Sequence, residues 1–171
     1  MTQDMTWLRP HFDAVVETWY PLIQAAYRLY PSLVPLDYFT VEAHLKTLLG
    51  ARNVQLELND VAYRTYPKDI FLEIIALDKT NQRMAREDYD DCDDRAWEFK
   101  HNMRYWFNAN AVGFVVDKSA WHAYNIIVFP DHAELLEPQQ DRFVTFGEAI
   151  TVATPKIGTG LYSLTSGIIT I

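Results

Sequence analysis

Three side chains that together can carry out nucleophilic chemistry occur in the chain in the order thiol, imidazole, carboxylate. They are Cys92, which is the only cysteine, His122 and Glu137. A thiol nucleophile needs a proton partner and a third group that orients this partner. The segment between residues 88 and 141 therefore contains the components of a Cys-His-Glu triad. Gln139 is the alternative to Glu137 if the register of the strands places it nearer to the histidine.

The segment that begins at Cys92 has the pattern of a helix with the thiol in its first turn. Asp90 or Asp91 can cap this helix. Asp93 and Asp94 lie in its first turn, where negative side chains are stabilised by the partial positive charge of the helix N-terminus. One buried face is indicated by the spacing of Cys92, Ala96, Phe99, Met103 and Trp106. A helix N-terminus favours a thiolate, whereas neighbouring aspartates disfavour it. We therefore expect Cys92 to be reactive only beside an imidazolium or a bound cation.

The residues from Trp121 to Glu137 predict a β-hairpin. The apolar run at 126–128 is typical of a strand buried on both faces, and Pro130-Asp131 is a turn signal. If these two residues form the loop, Glu137 lies one diagonal step from His122 on the same face. A loop longer or shorter by one residue would place Glu137 on the other face.

An acidic cluster surrounds Cys92, and it has two interpretations. The first is a solvated loop and helix start. The second is a calcium site, because calcium prefers several carboxylate ligands. The candidate ligands are Asp88, Asp90, Asp91, Asp93 and Asp94. The spacing does not match an EF-hand loop, and one cysteine with scattered histidines does not support structural zinc. No other cofactor is expected.

Four short motifs resemble those of a known family. They are Asp91-Cys92-Asp93-Asp94-Arg95-Ala96, Asn110-Ala111-Val112-Gly113, Trp121-His122-Ala123-Tyr124-Asn125 and Leu136-Glu137-Pro138-Gln139. In order and spacing they are similar to the papain-like peptidase domains of the Marasmius oreades agglutinin and its microbial and phage relatives, within the papain and transglutaminase-like superfamily. The resemblance covers about residues 86 to 145. It departs at Arg95, where the family has an aromatic residue, and at Trp121, where it has glycine.

The resemblance implies a cysteine peptidase, a hydrolase that cleaves peptide or amide bonds through Cys92, His122 and Glu137. In the agglutinin the activity depends on calcium. Two alternatives remain open. One is a papain-like scaffold that serves as a non-catalytic structural or interaction protein, and the other is a transglutaminase or amidase type of acyl transferase. Most of the tryptophans are expected to fill the core, and sugar binding is not expected to carry over.

The rest of the chain predicts an α+β fold of the papain-like type. We expect one domain over residues 1–171, with a helical part at 1–85 and the cysteine helix plus sheet at 86–171. Helices are predicted near residues 10–30, 41–49 and 67–78, and a strand at 54–58. A largely antiparallel sheet is predicted from about residue 111 to the C-terminus, including segments at 143–146, 149–153 and 160–171.

Composition limits the partners that the chain can have. The formal net charge of −8 argues against a nucleic acid bound through its phosphates. No apolar run reaches the length of about 20 residues needed to span a membrane, and the first residues lack the features of a secretory signal. A cytoplasmic or virion-associated location and a peptide or protein substrate are expected. The apolar final residues are predicted to dock in the sheet or against a second subunit, which would make a homodimer.

Overall fold

The structure is a computed structural model that describes residues 20–82, 91–152 and 160–171. A helix over residues 20–29, here α1, is followed by β1 (Val34–Asp37), α2 (Tyr38–Leu49), β2 (Asn53–Glu57), β3 (Ala62–Thr65) and α3 (Lys68–Leu77). After these come α4 (Cys92–Phe107), β4 (Val112–Asp117), β5 (His122–Val128), β6 (Ala133–Glu137), β7 (Arg142–Val144) and β8 (Ser166–Thr170). Short 3₁₀ turns lie at Tyr30–Ser32 and Thr80–Gln82. Helices and sheets occur together, so the predicted α+β class is confirmed.

A six-stranded sheet carries most of the structure. Its strand order is β2-β8-β4-β5-β6-β7, and a separate two-stranded sheet pairs β1 with β3. Strands β4 to β7 form consecutive antiparallel neighbours, and β8 is antiparallel to β4. The exception is β2, which runs parallel to β8. The prediction that the final residues dock in the sheet is confirmed, because β8 lies between two other strands.

The hairpin of β5 and β6 has the predicted register. Phe129 N–H donates to the carbonyl of His132 at 2.8 Å, so Pro130 and Asp131 form the loop. Asn125 pairs with Leu136, and Val128 pairs with Ala133. Every residue of β5 is buried, as the apolar run predicted. This register determines whether the side chain at the end of β6 lies on the same face of the sheet as the side chain at the start of β5.

Helix α4 starts at Cys92, as predicted, and packs its inner face against the sheet. Ala96, Phe99 and Met103 are fully buried. The last predicted position is different, since Phe107 is buried while Trp106 is only half-buried. The helix ends at Asn108, whose left-handed backbone (φ 56°) suits a C-terminal cap.

Two apolar clusters contain the buried residues. One includes α2 residues such as Val41 and Leu45 with Tyr124 and Tyr162. The other joins α1, α3 and α4 to the sheet and includes Phe71, Ile74, Phe99 and Met103. Helices α3 and α4 therefore contribute side chains to the same apolar cluster.

Several predictions about the elements need correction. The predicted strand at 54–58 is present as β2, but the part before residue 83 also contains β1 and β3, where no strand was predicted. Pro35 lies in β1, where a proline is tolerated in a short two-stranded sheet. The strand predicted at 149–153 is reduced to one bridge between Ala149 and Leu161, and residue 153 lies outside the described residues. The predicted helix near residues 10–30 is described only from residue 20, and the single domain stays a prediction.

Candidate functional site

The thiol, the imidazole and the carboxylate come from the ends of three elements that meet. Cys92 is the first residue of α4, His122 is the first residue of β5, and Glu137 is the last residue of β6. Because β5 and β6 are antiparallel neighbours, the start of one strand lies beside the end of the other. The three predicted site residues are thus placed by the helix start and by the hairpin register.

His122 and Glu137 form a buried ion pair. The Nε2 atom of His122 lies 2.7 Å from Oε2 of Glu137, and both side chains have no exposed surface. The same Oε2 accepts a hydrogen bond of 2.8 Å from the hydroxyl of Tyr162. Oε1 accepts the backbone N–H of Gln139 at 3.1 Å. Glu137 is therefore the group that orients the imidazole. The amide nitrogen of Gln139 is buried without a hydrogen-bond partner among the described residues, so Gln139 does not replace Glu137.

These contacts favour a charged His122. Burial lowers the pKa of His122, but the hydrogen bond to Glu137 and the charge interactions with Glu137 and Cys92 outweigh burial and raise the pKa to about 9. With Nε2 engaged by Glu137, the ring nitrogen left for the thiol is Nδ1. This nitrogen is buried and makes no hydrogen bond to the described residues. At neutral pH the ring therefore carries a positive charge next to Cys92.

Cys92 is partly exposed and lines a cleft of about 630 Å³. Its Sγ accepts the backbone N–H of Ala123 at 3.4 Å, so the sulfur is held against the strand that carries His122. The first N–H groups of a helix have no partner within the helix, and they point towards the thiol end of α4. Glu137 does not line the cleft and lies behind His122. The cleft thus exposes the thiol to a ligand, whereas the imidazole lies directly behind the cleft surface and the carboxylate lies deeper.

Trp121 stands at the edge of this cleft. Its side chain is 66% exposed, and its backbone has a left-handed conformation (φ 52°), which costs energy for any residue except glycine. Trp97 is also exposed. The prediction that the tryptophans fill the core is therefore wrong for these two residues, while Trp7 and Trp19 lie outside the described residues.

Two groups that support the site were not predicted. Tyr162, which holds Glu137, belongs to no strand or helix, so neither periodicity nor spacing could have indicated it. Burial and the charge of Glu137 raise the pKa of Tyr162, so its hydroxyl stays a donor. Asp117 is fully buried and accepts the N–H groups of Ser119, Ala120 and Leu164. The sequence signal that was available for Asp117 is its position at the end of a buried strand.

The acidic cluster is only partly described. Asp88 and Asp90 lie outside the described residues. One carboxylate oxygen each from Asp91 and Asp93 and the sulfur of Cys92 lie within 4.8 Å of one another. A hydrogen bond that protonated Asp93 donates to the Asp91 carboxylate, together with partial burial, raises the pKa of Asp93 to about 6, so the two carboxylates share a site that favours a proton or a cation. Asp94 is exposed in the first turn of α4. Calcium at this place stays a prediction, because two carboxylates and a soft sulfur are fewer oxygen ligands than calcium needs.

Comparisons with known proteins give a fold likeness. No protein-family model matches the chain, and no curated protein matches its sequence. The crystal structure of Polyporus squamosus lectin, bound to the human-type influenza-binding epitope Neu5Acα2-6Galβ1-4GlcNAc, matches with a TM-score of 0.52 and 24% sequence identity. The match covers 64% of this chain and 45% of the lectin chain, so this chain spans less than half of that protein.

This finding corrects the function that the motif resemblance implied. A solved structure that shares the fold is a lectin, so the identification as a papain-like cysteine peptidase is wrong, and so are the hydrolase and thiol protease assignments. The same finding contradicts the expected peptide substrate. It also contradicts the two alternatives, which were a papain-like structural scaffold and a transglutaminase or amidase. The physical reason is that four short motifs specify where side chains meet, whereas the reaction or ligand depends on the whole cleft.

The remaining predictions about partners are tested only in part. Across residues 20–82, 91–152 and 160–171, none of the helices combines the length and the apolar character needed to cross a membrane. The homodimer and the virion association stay predictions.

Proposed function

We propose that the chain is a thiol-dependent enzyme in which Cys92 is the nucleophile, His122 carries the proton and Glu137 orients His122. The observation that supports this proposal most strongly is the buried His122–Glu137 pair at 2.7 Å, placed beside a partly exposed thiol in a cleft. Well-packed apolar side chains can often replace a buried pair of charges without loss of stability, so stability alone does not require this pair. A site for nucleophilic chemistry gives this arrangement a function.

The chemistry follows from the two ring nitrogens of His122. Glu137 holds Nε2–H, so the proton on Nδ1 is the one that can move. A charged imidazole beside a thiol favours the thiolate, which is the nucleophilic form. The thiolate donates an electron pair to an electrophilic carbon of the substrate and forms a C–S bond. The bond from that carbon to its leaving group breaks, and the leaving group takes the proton from Nδ1. Free N–H groups at the start of α4 can stabilise negative charge that develops on the substrate.

The rate of alkylation of the folded chain by iodoacetamide, followed against pH, tests this proposal. Because Cys92 is the only cysteine, mass spectrometry reports modification at a single sulfur. We expect the wild-type chain to react near pH 6, and we expect His122→Ala to lower that rate at least tenfold. His44→Ala is the matched control, since His44 contacts the carbonyl of Pro130 at 3.3 Å and does not line the cleft. A wild-type rate that rises only above about pH 8, with no effect of His122→Ala, would refute the proposal.

A second candidate function is glycan binding in the same cleft. The observation that favours it is the exposed ring of Trp121 next to the exposed carboxylates of Asp91 and Asp93. An aromatic face can cover the apolar face of a sugar ring, and carboxylates accept hydrogen bonds from sugar hydroxyls. The lectin that shares the fold binds a sialylated glycan, and for this chain that ligand class is part of the proposal.

Titration with Neu5Acα2-6Galβ1-4GlcNAc by isothermal calorimetry tests the second candidate. We expect Trp121→Ala to weaken binding at least tenfold. Trp97→Ala is the matched control, because Trp97 is similarly exposed but lines a different pocket. Equal binding by both variants, or no binding by the wild-type chain at millimolar glycan, would exclude this cleft as the glycan site.

A further inference from the structure

A second cavity, of about 220 Å³, lies along α4, and we call it the α4 pocket. Four side chains of the helix line it, namely Trp97, Lys100, His101 and Arg104. Residues three or four apart are neighbours on a helix surface, so these four lie on one side of α4. The opposite wall includes the connection between β2 and β3 and the residues that lead into β4. None of the described residues lines both this pocket and the thiol cleft, so the two cavities are separate.

The α4 pocket brings together two cations, although the formal net charge of the chain is −8. Nζ of Lys100 donates to the carbonyl of Val112 at 2.9 Å, which fixes the ammonium group against the start of β4. Within residues 20–82, 91–152 and 160–171, neither Lys100 nor Arg104 forms an ion pair with a carboxylate. The two side chains carry more N–H donors than the bond to Val112 uses, so donors remain available to a ligand in the pocket.

The carboxylate of Asp60 also lines the pocket, and hydrogen bonds hold it in the wall opposite α4. Its Oδ2 accepts the side-chain amide of Asn110 at 2.7 Å. The same amide donates to the carbonyl of Ala62 at 3.1 Å, and Oδ1 of Asn110 accepts the backbone N–H of Arg64 at 2.7 Å. Asp60 is therefore part of a network that ties the connection between β2 and β3 to the residues before β4. One carboxylate facing two cations leaves the pocket with a positive charge.

The surroundings of Lys100 make its protonated form costly. Burial lowers the pKa of Lys100 to about 8. The charge of Asp60 on the opposite wall opposes this shift, whereas the charge of Arg104 on the same helix adds to it. An anion held between Lys100 and Arg104 would reduce the repulsion between them and stabilise the ammonium form. The pocket is therefore better suited to an anion than to a neutral or cationic ligand.

An exposed aromatic ring borders the cationic part of the pocket. The side chain of Trp97 is 56% exposed, and its ring makes a T-shaped contact with the ring of Phe114, with 5.5 Å between the centroids. Phe114 lines the thiol cleft, so this ring pair stands between the two cavities. Trp97 lies about one helical turn from Lys100. A flat apolar group can therefore stack on the indole while a charged group of the same ligand reaches the two cations.

We propose that the α4 pocket binds a phosphate monoester that carries an aromatic ring, with the phosphate on Lys100 and Arg104 and the ring on Trp97. A phosphate monoester carries about two negative charges near neutral pH, which matches two cations, and its oxygens accept the paired donors of a guanidinium. A single phosphate needs only this local charge, so the proposal agrees with a net charge that argues against nucleic acids. The site is independent of the reaction proposed for Cys92.

Isothermal calorimetry of the full chain with phenyl phosphate tests the proposal, and inorganic phosphate is the probe without a ring. At neutral pH we expect one binding site for phenyl phosphate and at least tenfold weaker binding of inorganic phosphate. Arg104→Gln and Lys100→Met should each weaken the binding of phenyl phosphate at least tenfold. Trp97→Ala should bring the affinity for phenyl phosphate close to that for inorganic phosphate, since the ring contact is lost. Lys118→Gln is the matched control and should bind like the wild-type chain, because Lys118 is an exposed cation that lines the thiol cleft.

The pH dependence of binding decides the question even if a variant without the charge folds poorly. The affinity of the wild-type chain for phenyl phosphate should fall as the pH rises past about 8, because Lys100 loses its proton there. Lys100→Arg should keep its affinity over the same range, since a guanidinium stays charged. A wild-type chain that shows no heat at millimolar phenyl phosphate would overturn the proposal. Retained binding in Arg104→Gln together with lost binding in Lys118→Gln would overturn it as well, because the anion would then lie in the thiol cleft.

Discussion

Glu137→Gln should change the stability of the chain in a manner that depends on pH. The substitution keeps the size of the side chain but removes the charge that faces Nε2 of His122. In the wild-type chain the pKa of His122 is raised from its ordinary value of 6.5 to about 9. A raised pKa means that folding favours the protonated ring. The resulting stabilisation is complete below about pH 6.5 and disappears as the pH rises through about 9.

The size of the effect follows from the same two values. Each pKa unit corresponds to about 1.4 kcal/mol, so the protonated ring contributes roughly 3 kcal/mol to folding in the acidic range. Cys92 supplies part of this shift, so Glu137→Gln should remove less than the whole. A fixed cost comes in addition, because an amide nitrogen cannot accept a hydrogen bond. One of the donors that reach Glu137, from Tyr162, Gln139 or His122, is then left without an acceptor.

Urea unfolding at a series of pH values measures both parts. The difference in unfolding free energy between wild type and Glu137→Gln should be largest near pH 6 and should shrink by about 2 kcal/mol towards pH 9.5. Glu42→Gln is the control, since Glu42 forms only a surface pair with Lys46, and it should change stability little at any pH. A constant difference between wild type and Glu137→Gln across this range would show that His122 is not charged by its contact with Glu137.

Three further substitutions test the support of the site and of the sheet. Tyr162→Phe removes the hydroxyl that donates to Glu137 at 2.8 Å and should cost about 2 kcal/mol in urea unfolding, since the acceptor is charged. Gly167→Ala should lower the free energy of unfolding by about 3 kcal/mol in the same assay, because the added Cβ would lie 2.3 Å from the carbonyl oxygen of Val116. A loss of less than about 1 kcal/mol would contradict this close packing. Trp121→Gly should raise the melting temperature, because glycine adopts a φ of 52° without strain and the lost side chain is mostly exposed. A lower melting temperature would show that the indole ring packs against the rest of the protein.

The sequence was sufficient to predict the parts of the site that depend on local structure. The aspartates and the apolar stripe after Cys92 predicted a helix that begins at the thiol, and α4 begins there. The Pro130-Asp131 turn predicted the register that brings Glu137 to His122, and the ion pair has that geometry. Short-range signals of this kind depend on few residues and are therefore readable from one chain.

The parts that were not predicted depend on contacts between distant segments. Tyr162 reaches Glu137 from a stretch without regular secondary structure, and Asn81 reaches Asp141 across 60 residues. No periodicity marks such residues. The position of β8 between β2 and β4, and its parallel pairing with β2, also depend on contacts between distant segments. Only the folded core decides between which strands such a late segment pairs.

The function was the least readable property. The order of Cys92, His122 and Glu137 indicated where three groups meet, and the structure places them together. The same motifs led to a peptidase, whereas the fold is shared with part of a lectin. Trp121 lines the same cleft as the thiol and is mostly exposed, so its ring is one of the surfaces that a ligand of Cys92 would meet. Ligand choice is therefore a property of the cleft edge, and four motifs contain little information about it.

The position of β8 also sets an order in which the chain can fold. Thr170 pairs with Glu57 at a separation of 113 residues, so β2 cannot join the large sheet until the segment at 166–170 has been synthesised and has found β4. Strands β4 to β7, in contrast, pair with their neighbours along the chain and close only short loops. We therefore expect the strands that carry His122 and Glu137 to assemble early and β2 to dock late. The folding rate of the whole chain is then set by a contact on the far side of the sheet from the thiol.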